Sequence, residues 1–102
     1  MTQQITIELP YQEISDYCQE KPILRLGLFG SVLRDDFSAD SDVDILVEYQ
    51  AGAKITLFDM AIQEIDLSTI LGRKVDLRTA KELSPYFRDE VQAKAIWIYE
   101  SA

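Results

Sequence analysis

A chain of 102 residues, 47% hydrophobic and 27% charged, is long enough to bury one core and is read as a single domain over residues 1–102. Eighteen acids against ten bases leave a formal charge of −8, which repels a phosphate backbone and argues against direct nucleic-acid binding while suiting a basic protein partner. With no histidine and one cysteine, Cys18, the chain lacks the usual general base, the commonest zinc ligand and any internal disulfide.

Met1 to Gln4 opens with neither a basic start nor a long apolar stretch, and no run approaches the ~20 residues needed to span a bilayer, so a cytoplasmic location is expected. Pro10 suits the first turn of a helix to Gln19, with Tyr11, Ile14, Tyr17 and Cys18 on its apolar side and Lys21-Pro22 as its end. Cys18 is read there as a small core residue. Ile23 to Phe29 reads as a buried strand that delivers Gly30-Ser31, and Ser31 to Asp36 as a short helix. Asp42 to Tyr49 is a second strand, with Val43, Ile45 and Val47 opposite Asp42 and Asp44.

Thr56, with Asp59 three residues on, predicts a capped helix running to Leu71, with Gly72 as its stop. Its expected core stripe is Leu57, Phe58, Ala61, Ile62 and Ile65. Lys74 to Thr79 is the third strand, with Asp76 and Arg78 on one face and Val75 and Leu77 on the other; Arg73 and Lys74 are expected to cap the preceding helix. Ser84-Pro85 opens a last helix with a stripe of Phe87, Val91 and Ala95, and Ile96 to Tyr99 either ends that helix or forms an edge strand. The five tyrosines read as core-edge residues, and Trp97 as an interface anchor or as ordinary packing. Alternating strands and helices predict an α/β (α+β) domain: a mixed sheet of three or four strands flanked by helices.

The chemistry lies in the spacing of Gly30-Ser31, Asp42-Val43-Asp44 and Asp76. A Gly-Ser turn leaving a strand offers backbone N–H groups and a hydroxyl to a polyphosphate. Acids at i and i+2 of a strand share a face, where they can hold Mg²⁺ together with substrate phosphates. Taken singly, Gly-Ser is a common turn, Asp-Ser-Asp a solvated one and Asp76 a surface strand residue. Three acids converging opposite a Gly-Ser turn are costly to leave unpaired, and that cost favours a functional site. Arg34 either reaches the same phosphates or pairs with a surface acid such as Asp35 or Asp36. Glu48, farther along the strand, lies beyond reach of the metals.

Leu28-Phe29-Gly30-Ser31, ten residues, then Asp42-Val43-Asp44 resembles the signature of the DNA polymerase β-type nucleotidyltransferase superfamily. In length the chain most resembles its minimal members, the MNT antitoxins paired with HEPN toxins. The resemblance runs from about Leu24 to Leu77, and Asp76 matches the third carboxylate of that family. Many relatives carry glycine after the arginine that matches Arg34, where this chain has Asp35-Asp36.

The resemblance implies catalytic and metal-binding roles for Asp42, Asp44 and Asp76, and nucleotide or phosphate binding by Gly30, Ser31 and Arg34. It also implies two Mg²⁺ ions, ATP as substrate, and a toxin with ribonuclease activity whose tyrosine hydroxyl accepts AMP. A chain this short leaves little surface for a small-molecule acceptor pocket, so a macromolecular partner is expected to complete the site. The alternatives are an antitoxin that acts by occlusion without catalysis, and a nucleotidyltransferase for a small molecule such as an antibiotic.

Overall fold

The computed structural model describes residues 7–34, 38 and 40–101. Helix α1 spans Tyr11–Gln19 and strand β1 Ile23–Phe29. A 3₁₀ turn, Gly30–Leu33, leaves β1, and β2 follows at Val43–Tyr49. The rest is α2 (Leu57–Leu71), β3 (Val75–Arg78), a second 3₁₀ turn (Ala80–Glu82), α3 (Arg88–Lys94) and β4 (Ile96–Glu100). The sheet order is β3-β2-β1-β4. β1 runs antiparallel to both β2 and β4, while β2 and β3 are parallel, joined by α2 as a crossover. The expected mixed sheet is thus a four-stranded one, and Ile96 onward resolves as its edge strand.

Alternation places Leu26, Leu28, Val43, Ile45, Val47, Val75 and Leu77 on one sheet face, buried against Ile14 and Cys18 of α1 and Leu67 of α2. The opposite face carries Asp44, Glu48, Asp76 and Arg78. Glu48 is paired with Arg25, whose guanidinium lies 3.9 Å from the centroid of the Trp97 ring, so Trp97 packs on its own sheet.

The α2 boundaries follow the caps. Thr56 accepts from the Asp59 N–H at 3.0 Å, the Asp59 carboxylate accepts from the Thr56 N–H at 2.9 Å, and Gly72 closes the helix with φ of 69°. The stripe assignment is wrong. Leu57, Phe58, Ala61, Ile62 and Ile65 face solvent, Leu57 82% exposed, whereas Gln63 and Leu67 are buried with Met60, Ile70 and Leu71 packed nearby.

The reason is the edge of the sheet. β3 is an edge strand, and its Val75 and Leu77 N–H groups donate to Ser68 Oγ at 2.9 Å and Glu64 Oε2 at 2.8 Å. The Tyr49 hydroxyl donates to Gln63 Oε1 at 2.7 Å, and the Tyr17 hydroxyl to Asp66 Oδ2 at 2.7 Å. Satisfying these groups turns the stripe of Met60, Leu67, Ile70 and Leu71 toward the sheet and leaves that of Leu57, Phe58, Ile62 and Ile65 outside.

Three further expectations are corrected. The segment after Gly30 is one 3₁₀ turn within the described residues, and Asp35 and Asp36, to which the short helix was extended, lie outside them. The last helix begins at Arg88 after a turn, with Phe87 exposed, and Tyr11 and Tyr86 stand in solvent. Arg73 and Lys74 point elsewhere: Arg73 Nη1 donates to the Ser38 carbonyl at 3.4 Å and Lys74 lies 3.8 Å from Asp42. No helix among the described residues is long and apolar enough to cross a membrane.

Candidate active site

Three neighbouring strand ends assemble the site. In the register of the sheet Phe29 stands opposite Asp44, and Asp44 opposite Asp76, so Gly30, Asp44 and Asp76 follow one another across β1, β2 and β3. Asp42 immediately precedes β2, and the Val43 N–H donates to the Lys74 carbonyl at 2.9 Å, tying that end to the start of β3. Alternation then points Asp44 and Asp76 to the same, uncored face.

Gly30 has φ of 72°, a left-handed conformation that favours glycine, and a Cβ there would collide with Asp44 Oδ2 and lie 3.3 Å from its Cγ. The absence of a side chain is what lets the turn close on the carboxylate. Ser31 fastens the turn to the acids. Its Oγ donates to the Asp42 carbonyl at 3.3 Å, and its backbone N–H favours the charged form of the Asp44 carboxylate.

Asp44 is partly buried, and desolvation, the largest influence, raises its pKa above the ordinary aspartate value. The Ser31 N–H opposes this, the charges of Asp76 and Asp42 add to it, and Arg78 offsets them in part. A carboxylate so placed gains from a cation. The nearest cations from the chain itself are Arg78, whose Nε lies 3.2 Å from Asp76 Oδ1, and Lys74, 3.8 Å from Asp42 Oδ2.

As these side chains stand, no three His, Cys, Asp or Glu groups among the described residues lie close enough together to enclose a metal ion. The donor chemistry nonetheless fits Mg²⁺. All the available ligands are oxygens, and Mg²⁺ is commonly held by one or two carboxylates, with water and substrate phosphate completing its sphere.

Arg34 is exposed and ends the Gly30–Leu33 turn, its N–H donating to the Ser31 carbonyl at 3.0 Å. It lines a cavity of about 440 Å³ beside Gly30, and among the described residues no ion pair or hydrogen bond joins it to the acids. Sequence reasoning missed the closure of the Gly30 turn on Asp44 and the Lys74–Asp42 pair. The position of Lys74 two residues before Asp76 was a usable signal, since parallel pairing sets it beside Asp42.

Residues 12–98 match the family model described as nucleotidyltransferase domain. The protein adenylyltransferase MntA of Thermococcus cleftensis is 30% identical over 76 residues, 74% of this chain and 75% of that protein. A solved structure described as a candidate minimal nucleotidyltransferase is 34% identical, with a TM-score of 0.68 over 84% of this chain and 86% of its own. A crystal structure of a toxin–antitoxin with AMP-PNP shares the fold at 19% identity, with a TM-score of 0.71 over 91% of this chain and 75% of that one.

Proposed function

This chain belongs to the nucleotidyltransferase domain family, and we propose what it transfers and to which acceptor. It is the antitoxin of a toxin–antitoxin pair and moves AMP from ATP onto a tyrosine hydroxyl of a HEPN ribonuclease toxin, silencing it. The observation that carries this reading is Asp44 lodged between the Gly30–Ser31 turn and the register partner Asp76. That juxtaposition brings a Gly-Ser turn and two carboxylates together at the ends of three neighbouring strands, which supports phosphate binding by the turn and metal binding by the acids.

Asp42 and Asp44, with Asp76, are the residues that would hold Mg²⁺ beside the triphosphate. When bound, the ion neutralises charge on the phosphates and lowers the pKa of a nearby hydroxyl. The Ser31 hydroxyl orients a β- or γ-phosphate, and Gly30 lets the backbone come close. The Asp76 carboxylate takes the proton of the attacking tyrosine hydroxyl, a role that in a histidine-free chain falls to an acid. The tyrosine oxygen bonds to the α-phosphorus while the bond to the leaving pyrophosphate breaks. Arg78, paired with Asp76, is a positioning residue that limits repulsion among the acids.

The partner half of the reading is supported by α2. Leu57, Phe58, Ile62 and Ile65 are exposed on a helix that contains three acids and no lysine or arginine. Such an exposed apolar face fits a protein partner that offers apolar contacts. The name of the Thermococcus relative supports protein as the acceptor. The test is transfer of label from ATP to the purified toxin: label at the α-phosphate is expected on the toxin, and label at the γ-phosphate is not. Asp44→Asn should abolish transfer. Retention of the γ-label on the toxin, or full transfer by Asp44→Asn, contradicts the proposal.

A further inference from the structure

We infer that the toxin docks on the outer face of α2, a surface separate from the acids, and that the segment received there is an apolar-striped helix of the toxin. The inference rests on the partner proposed above and adds the surface that holds it.

Six residues of α2 are exposed, Leu57, Phe58, Ala61, Ile62, Ile65 and Thr69, and none of them is charged. The charged side chains of the helix are committed elsewhere. Asp59 caps Thr56, Glu64 accepts from the Leu77 N–H, and Asp66 accepts from the Tyr17 hydroxyl. A helix on a protein surface ordinarily turns its charges to water and buries its apolar stripe. Here Phe58 is 75% exposed and Ile65 66%. At their fractional exposures Leu57, Phe58, Ile62 and Ile65 present on the order of 500 Å² of apolar surface. That is about the apolar share of one partner's ~800 Å² in a standard interface.

Spacing and charge identify the occupant. Phe58, Ile62, Ile65 and Thr69 follow at i, i+4, i+7 and i+11, a ridge of the kind that packs into the groove of a second helix. A second copy of this chain offers such a helix, but it also brings a net charge of −8 against −8. Charge of one sign at that level keeps copies apart. A toxin of small or opposite net charge meets no such repulsion.

Position separates docking from chemistry. α2 packs through Met60, Leu67, Ile70 and Leu71 on the cored face of the sheet, whereas Asp44 and Asp76 lie on the other face. The sheet therefore stands between the docking ridge and the acids. Through Gly72 the helix leads into β3, the edge strand that carries Asp76, so a toxin seated along α2 borders the site at that edge. Docking there leaves the acids open to nucleotide and raises the local concentration of the acceptor.

The experiment measures calorimetric binding of the purified toxin to the full chain, and the rate of AMP transfer against toxin concentration. Phe58→Ala and Ile65→Lys change exposed positions, and thermal melting verifies that each is folded. Each should raise the Kd and the KM for toxin about tenfold or more, with kcat and the Kd for Mg²⁺-ATP within about twofold of wild type. Tyr86→Ala, which removes an exposed ring outside α2, should leave toxin binding unchanged. Folded α2 variants that bind toxin as the wild type does overturn the docking face, as does an equal loss in Tyr86→Ala. So does a chain that sediments alone as a dimer and is returned to monomer by Phe58→Ala, since a second copy then covers the ridge. A wild-type chain that binds toxin through α2 yet transfers no AMP supports the docking face and overturns the proposed reaction. One that binds no toxin overturns both.

Discussion

At Gly30 the backbone enters the left-handed region because the Asp44 carboxylate occupies the space that a side chain needs. Gly30→Ala must therefore either push Asp44 away from the Ser31 amide or strain the turn. The expected cost is about 1–3 kcal/mol in denaturant unfolding, together with loss of Mg²⁺-ATP binding. Full stability and full binding in the alanine variant contradict the role given to this turn. Cys18 is the opposite case, a reactive residue type with no chemistry. It is fully buried, and burial pushes its thiol pKa up to about 12. The native protein at pH 8 should leave an alkylating reagent unreacted, and unfolding in denaturant should release one thiol per chain. Fast alkylation of the native state contradicts that burial.

Among the elements, α2 separates what a helical pattern can tell from what it cannot. The ends of α2 were legible because caps are local chemistry: Thr56 and Asp59 bond each other's amides, and Gly72 takes the left-handed stop. Its inward face was not. Leu57, Phe58, Ala61, Ile62 and Ile65 form one apolar stripe, and Met60, Leu67, Ile70 and Leu71 form another on the far side. Periodicity alone does not rank them. The choice is made by Glu64 and Ser68, which satisfy the edge strand β3, and that strand's place in the sheet is a tertiary fact. Leu67→Ala should accordingly cost about 2–5 kcal/mol, while Ile65→Ser stays within about 0.5 kcal/mol of wild type. Equal losses at the two positions in urea unfolding contradict this orientation. β1, β2 and β3 were read correctly because alternation of burial is imposed by the sheet itself, with the acids on the face away from the core. Phe87 was misassigned to a core stripe because Arg88 starts α3 later than Ser84-Pro85 suggested.

Across the whole molecule, the acids and the Gly-Ser turn were legible as a spaced pattern, but their coupling was not. That the Gly30 turn closes on Asp44, and that Lys74 and Arg78 stand at Asp42 and Asp76, depends on register between strands distant in sequence. A net charge of −8 and clustered carboxylates make a bound divalent ion stabilising by mass action. Saturating Mg²⁺-ATP, at about a hundredfold excess over its Kd, should raise the melting temperature on the order of 10 °C. Asp44→Asn should remove most of that rise while leaving the protein folded. An undiminished rise in that variant places the nucleotide elsewhere.

The central claim is that these acids serve transfer of AMP to a partner protein. The most direct measurement is the intact mass of the toxin after incubation with this chain, ATP and Mg²⁺, with the modified residue located by peptide fragmentation. The account predicts addition of AMP to a tyrosine by the wild type, none by Asp42→Asn or Asp44→Asn, and strongly slowed addition by Asp76→Asn. A toxin that stays unmodified yet is inhibited equally by the wild-type and Asp44→Asn chains contradicts it, and leaves occlusion as the mechanism.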